Sequence, residues 1–345
     1  MRKNHFVSWV VLACALVFSG IFTSSAFALS PTDAQDKERF KPALLYVTGK
    51  QDSERAFINM AREGASRAKN ELGISFEEYR LPENEDGTAF IRAIAEKGYS
   101  PIVAVGYQNV LPVLNLAQQF PNTRFTVIDG LVPPLYQNVQ SIIFKDHEGA
   151  FLVGMIAAYS SKSGKIGFIG GMDVPLIRNF GQGYSQGAKF VRPTIQIQSD
   201  MVGDTPTAWS QPDVAYELAT KQYGAGVDVI FTAAGGSGLG VLRAAKDTGK
   251  YAIGVDTNQN GLYPGHVLTS MIKRVDNAVF NTLKSSQTGK WEAGIKSLGL
   301  KEMALDFAVD VHNKHLITDD LVEQVLITRE RIINGLIDVN TYSPN

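Results

Sequence analysis

Apolar residues in this chain come in short unbroken runs, and between the runs they recur every three or four positions. Residues 43–47, 102–105, 125–128, 139–144, 165–169, 229–231 and 251–255 are runs of the first kind, each ended by Gly, Asp, Asn or Thr within a few residues. Such runs read as strands buried on both faces, and residues 75–79, 195–201 and 267–271 read as further short strands. The helical period appears at 54–72, with Phe57, Ile58, Ala61, Ala65 and Ala68 on one face, and again at 88–96, 111–119, 148–160, 212–223, 241–246, 275–285 and 319–334. A further helix at 176–190 is expected to be interrupted at Gly181 and Gly183, and residues 296–309 hold one or two strands.

Strand and helix alternate, and the alternation restarts near residue 148. This predicts an α/β fold of two doubly wound, Rossmann-like lobes with a hinge and a central cleft. The expected N-terminal lobe is 41–145 with 268–292, and the expected C-terminal lobe is 146–267 with 293–345. Ligands bind such sheets at the carboxyl ends of the strands. The polar and glycine-rich clusters of the chain fall there: 48–53, 106–109, 129–130, 170–173, 209–210, 235–238 and 256–260.

The first 28 residues follow a different pattern. Arg2 and Lys3 precede an apolar run, and Ala26 and Ala28 supply an A-x-A site, so this segment reads as a secretory signal peptide cleaved near Ala28. The expected location is periplasmic or secreted, and the alternative is lipoprotein processing at Cys14 within LAC. Residues 29–40 are a polar leader. Cys14 is the chain's one cysteine, so a mature protein lacking the leader has no disulfide, thiolate nucleophile or cysteine metal site. The formal net charge of −1, with no basic block, argues against a nucleic-acid partner.

Catalytic signatures are missing. There is no G-x-S-x-G elbow and no H-E-x-x-H, and no local cluster of Asp, Glu or Cys completes a metal ligand set around the His312/His315 pair. The glycines at 235–240 lack dinucleotide spacing and are not followed by G-K-S/T. Gly235 and Gly236 therefore form either a turn that lets a ligand approach the backbone or a plain strand–helix turn. A binding cleft needs aromatic faces and a few fixed polar groups. Trp209 is a candidate stacking platform or a cap on the next helix. Asp129 and Asp256 each end an apolar strand, as ligand acceptors or as turn and cap carboxylates. Lys273 follows a strand and is either a cation in the cleft or a solvated lysine.

Five blocks carry a family resemblance: NVQSIIFK at 138–145 leading into EGAFLVGMIAA at 148–158, GKIGFIGGMDVPLIRNF at 164–180, AAGGSG at 233–238, AIGVDTNQ at 252–259 and LTSMIK at 268–273. Together they resemble the basic membrane protein family of ABC-transporter substrate-binding proteins, over almost the whole mature chain. The resemblance implies a type I periplasmic-binding-protein-like fold, and the best-known branch of that family binds purine nucleosides. It implies that Asp129 contacts the purine edge, that Trp209 stacks on the base, and that Gly235, Asp256 and Lys273 hold the ribose hydroxyls. The first cleft loop departs from the family's D-x-S-F-N pattern: with Phe57 aligned, Ile58 stands where Asn is usual, Arg62 stands near a usual aromatic, and either Asp52 or Glu54 fills the carboxylate position. Phe57 or Tyr107 would supply the second stacking face.

The expectation is a monomeric binding protein without cofactor, metal or enzymatic activity. It captures a small ligand, a purine nucleoside or related purine, and passes it to a membrane ABC permease. The alternative is a ligand-sensing protein for a non-nucleoside small molecule that signals to a membrane receptor.

Overall fold

Runs of Val, Ile, Leu and Phe with no polar face are stable as strands only if both sides of their sheet are covered, and that requirement shapes the fold. The computed structural model describes residues 40–48, 56–82 and 85–343. Residues 1–39, which hold the expected signal peptide, Cys14 and all of the polar leader but Phe40, lie outside the described residues, as do Asp52 and Glu54.

The first sheet contains β1 (Ala43–Thr48), β2 (Glu77–Pro82), β3 (Ile102–Val105), β4 (Phe125–Ile128) and β5 (Val139–Phe144), and it is completed by β11 (Gly294–Leu298) from much later in the chain. Its order is β2-β1-β3-β4-β5-β11, and every pairing is parallel. The second sheet contains β6 (Lys165–Met172), β7 (Gln196–Gly203), β8 (Val229–Ala233), β9 (Tyr251–Asp256), β10 (Val267–Lys273) and β12 (Leu305–Phe307). Its order is β7-β6-β8-β9-β10-β12, parallel except for the β10–β12 edge. The two sheets thus repeat one winding. Each has its switch point between its first and third strands, where the chain leaves in opposite directions and a crevice opens.

Helices cover the faces: α1 (Ala56–Leu72), α2 (Gly87–Glu96), α3 (Val110–Ala117), α4 (Asp146–Ser160), α5 (Pro175–Val191), α6 (Pro212–Gly224), α7 (Gly238–Thr248), α8 (Val275–Gln287) and α9 (Asp319–Ile333). One apolar cluster runs through both lobes, from Leu44 and Val103 through Phe144 and Phe151 to Phe168 and Phe231. Smaller clusters fill the outer face of each sheet.

Two expectations change here. The helix at 175–191 is continuous. Its glycines do not break it; they let it lie against α4, because a Cβ at Gly183 or Gly187 would run into the backbone of His147 or Phe151, and one at Gly154 into Tyr184. The chain also changes lobe at different places from those expected near 268 and 293. β10 stays paired to β9, whereas α8 and β11 return to the first lobe, so the crossings follow Phe144, Lys273 and Leu298. Backbone bonds stitch these crossings together: Lys145 N donates to Leu298 O and Arg274 N to Ala304 O, each at 2.8 Å. Among the described residues no helix is long and apolar enough to cross a membrane.

Candidate functional site

The strand ends of both sheets meet in a cleft. From the first lobe it is lined by Val47, Phe57, Ile58, Gly106, Tyr107, Gln108 and Asp129, and from the second by Leu176, Ile177, Phe180, Trp209, Ala233, Gly235, Val255, Asp256 and Lys273. Seven of the nine candidate residues are therefore together: Phe57, Tyr107, Asp129, Trp209, Gly235, Asp256 and Lys273. Gly236 is buried in the turn behind Gly235 and does not line the cleft, and Asp52 lies outside the described residues.

Asp129 and Asp256 share an unusual backbone. Each sits one step beyond or at the last position of an apolar strand with φ of +64° and +68°. Left-handed geometry is costly for most side chains and tolerable for Asp, and residues held in it cluster at functional sites. Neither carboxylate caps a described helix. Asp129 is instead taken by Lys273, whose Nζ donates to Asp129 Oδ1 at 2.7 Å.

Lys273, the last residue of β10, is only 1% exposed, which removes the solvated-lysine alternative. Its ammonium lies 3.0 Å from Asp146 Oδ1, a charge contact that is not aligned as a hydrogen bond. The ring centroids of Phe144, Phe180 and Phe57 stand 4.8, 5.2 and 5.8 Å from it. Burial alone would lower the lysine's pKa, but Asp129, Asp146 and Asp256 together outweigh it and hold the group above its ordinary value. Burial pushes Asp256 up to about 6, with Lys273 opposing and Asp129 assisting. Asp256 thus presents to the cleft a carboxylate that is ionised at neutral pH, with no hydrogen bond to any described residue.

Trp209 ends a 3-10 turn at Pro206–Trp209 and is half-buried. The glycine turn holds this tryptophan in place. Ser237 Oγ accepts from Gln211 N and donates to Ala208 O, both at 2.7 Å, in a fully buried position. Gly235 takes φ +56°, and the indole lies over Gly171, where any Cβ would strike the ring. Gly240 packs α7 onto α6, since a Cβ there would meet the Pro212 carbonyl. Of this series Gly235 faces the cleft and Gly240 serves packing. Across the cleft, the turn carrying Tyr107 is pinned by Asn109, whose Nδ2 donates to Val105 O at 3.0 Å and Gly106 O at 3.1 Å.

Sequence reasoning passed over Asp146, Ile177 and Phe180. Phe180 lies inside a helix whose period reads as core. Asp146 opens α4, where an acid is expected for the helix dipole alone. Its proximity to Lys273 is created by two separate lobe crossings. Among the described residues no three His, Cys, Asp or Glu side chains are placed to hold a metal, and the backbone N–H of His312 donates to Asp310 Oδ1 at 2.6 Å.

The chain is similar to basic membrane protein D of Borreliella burgdorferi, with 31% identity over 88% of this chain and 89% of that protein. It is equally similar, at 31% over 88% of this chain and 76% of that protein, to an uncharacterized lipoprotein of Pyrococcus furiosus. In structure it resembles an ABC transporter system solute-binding protein of Aeropyrum pernix, with a TM-score of 0.78 and 25% identity over 88% of this chain and 94% of the other. The profile described as "ABC transporter substrate-binding protein PnrA-like" matches residues 43–343. A double-wound pair of lobes with its polar groups gathered at facing switch points, matched over nearly its whole folded length, places this chain in the Bmp family of PnrA-like ABC transporter substrate-binding proteins.

Proposed function

We propose that the protein captures a purine nucleoside or a related purine between its lobes and delivers it to a membrane ABC permease. The observation that carries this reading is the division of the cleft into two kinds of surface. Trp209, Phe57, Ile58, Leu176 and Ile177 offer a broad apolar lining contributed by both lobes, while Asp129, Asp256 and Lys273 form a buried charged group at the strand ends. A purine nucleoside has the same division. Its base is flat and apolar on its faces, with stacking worth roughly 1–3 kcal/mol on an aromatic platform. Its edge and sugar are rich in donors, which suit carboxylates. A free sugar needs polar partners on most of its surface and matches the apolar lining less well.

In this reading Asp129 and Asp256 accept from the ligand, Lys273 donates, and Trp209 stacks. Phe57 and Tyr107 line the opposite lobe and compete for the second face. Closure follows from contact with both lobes, because a ligand shifts a conformational equilibrium only by its differential contacts. The protein acts as a monomer outside the cytoplasm and leaves its ligand chemically unchanged. The family is one of binding components, and relatives are named as lipoproteins and basic membrane proteins.

A thermal-shift screen of purine nucleosides, free purines, pyrimidine nucleosides and monosaccharides tests this directly. A purine compound at a hundred times its Kd raises stability by about 2.7 kcal/mol. A clear shift with monosaccharides alone refutes the purine assignment. Release of free base from inosine or guanosine refutes the non-enzymatic part.

A further inference from the structure

Asp146 is the first residue of α4, is 0% exposed, and is not among the residues that line the cleft. Neither of its carboxylate oxygens has a hydrogen-bond partner among the described residues. A carboxylate offers about four acceptor positions, and a buried one with none of them used is stable only if something neutralises it. Among the described residues the one cation within reach is Lys273, at 3.0 Å, and that ammonium already donates to Asp129 at 2.7 Å. Three carboxylates, Asp129, Asp146 and Asp256, therefore share a single lysine in a pocket walled by Phe57, Phe144 and Phe180. The helix N-terminus favours an anion at Asp146. Full burial beside two other acids acts against it more strongly.

We propose that Asp146 is a proton-bearing positioning residue for ligand capture: as a neutral acid it leaves the Lys273 ammonium to Asp129 and the cleft, and once ionised it draws that ammonium away and weakens binding. The ligand arm of this proposal rests on the purine reading of the cleft. Burial is the main cause of a pKa pushed up to about 8, with Lys273 opposing and Asp129 and Asp256 adding to it. Asp129 comes from β4, Asp256 from β9 and Lys273 from β10. On α4 itself, burial holds the His147 imidazole below its ordinary value, and Glu148 is held by Lys145 at 3.2 Å and by Leu300 N at 2.9 Å.

The sign follows from linkage. The folded protein binds this proton more tightly than the unfolded chain, so its contribution to stability is fully present below the ordinary aspartate value of 3.8 and is lost as pH rises to about 8. The first test is ligand-free urea unfolding of wild type and Asp146→Asn between pH 5 and 9. Between pH 5 and 7.5 the unfolding constant of wild type should rise about tenfold more per pH unit than that of the variant. Above pH 8.5 the two should run parallel. Parallel curves throughout overturn the proposal.

The second test measures adenosine affinity, since adenosine does not titrate in this range. In wild type the Kd should rise above pH 8, by up to about tenfold per pH unit. In Asp146→Asn that rise should be absent, and its persistence there overturns the positioning role. If neither adenosine nor any other purine nucleoside or free purine binds either protein at any pH but unfolding shows the extra proton, the purine reading fails and the Asp146 proton stands. If the variant does not fold, carboxyl-carbon NMR titration of wild type decides. One aspartate should titrate near pH 8, and the absence of any titrating above neutrality overturns the proposal.

Discussion

Replacing Lys273 by Met tests the charge cluster on which the cleft is built. The two side chains are of similar length, and the end of the lysine already faces the rings of Phe57, Phe144 and Phe180, which suit a methionine's thioether and methyl, so packing changes little. What is lost is the one cation among the described residues that serves Asp129 at 2.7 Å and Asp146 at 3.0 Å. Removing one member of a buried ion pair costs about 3–5 kcal/mol, because the remaining charge is left without compensation. Here the cost depends on pH. Without the lysine the acids are raised further, and an acid whose folded pKa is raised stabilises at low pH and loses that contribution as pH climbs. At pH 5, Asp146 and Asp256, pushed to about 8 and about 6 in the intact cluster, already hold protons, so Asp129 is the main group left exposed to the loss. The deficit should be about 1–2 kcal/mol at pH 5 and about 3–5 kcal/mol at pH 8. Urea unfolding at the two pH values measures both, provided the denaturant slopes of the two proteins agree. An equal deficit at both would show that packing, not charge, is responsible. No deficit at pH 8 would refute the claim that Lys273 holds the carboxylates together.

Other expectations concern the cleft walls and the helix contact. Trp209→Ala should weaken a bound purine nucleoside by roughly 1–3 kcal/mol in titration calorimetry, and an unchanged Kd would place the indole outside the contact. Ser237→Ala leaves Gln211 N and Ala208 O short of a hydroxyl that bonds both at 2.7 Å. It should cost about 2–4 kcal/mol in unfolding and also weaken the same ligand, whereas full stability with normal affinity would deny it any hold on the Trp209 turn. Gly187→Val forces a side chain into the Phe151 backbone and should destabilise by at least about 3 kcal/mol, read by thermal unfolding. A mild effect would mean that α4 and α5 part easily.

The site was legible to the extent that its chemistry sits at strand ends. Asp129, Asp256 and Lys273 stand out because each closes or follows an apolar strand, where ligands meet such sheets, and Trp209 because it is a large aromatic in a loop of small and polar residues. Tyr107 follows a strand in the same way, whereas Phe57 reads as part of a helix face and became a candidate through the family resemblance. Asp146 was not legible, since an acid in a helix's first turn is ordinary, and only burial beside Lys273 makes it unusual. Ser237 was hidden within a glycine turn whose other members drew the attention, although its hydroxyl ties that turn to Trp209.

Local pattern determined the elements and the class of fold. Short apolar runs alternating with amphipathic helices can be buried only as a parallel sheet covered on both faces, and the restart of the pattern makes two such sheets. Local pattern could not determine where the chain changes lobes, because a returning helix and strand look the same in either sheet; pairing decided it, with β10 on β9 and β11 on β5. The tertiary structure also decided the charge balance of the cleft. The crossings after Phe144 and Lys273 bring Asp146 and the lysine side by side, and β4 delivers Asp129 to the same point. Charges at such separations in sequence interact only once folding has removed the water between them, and burial then sets which of them keeps its proton.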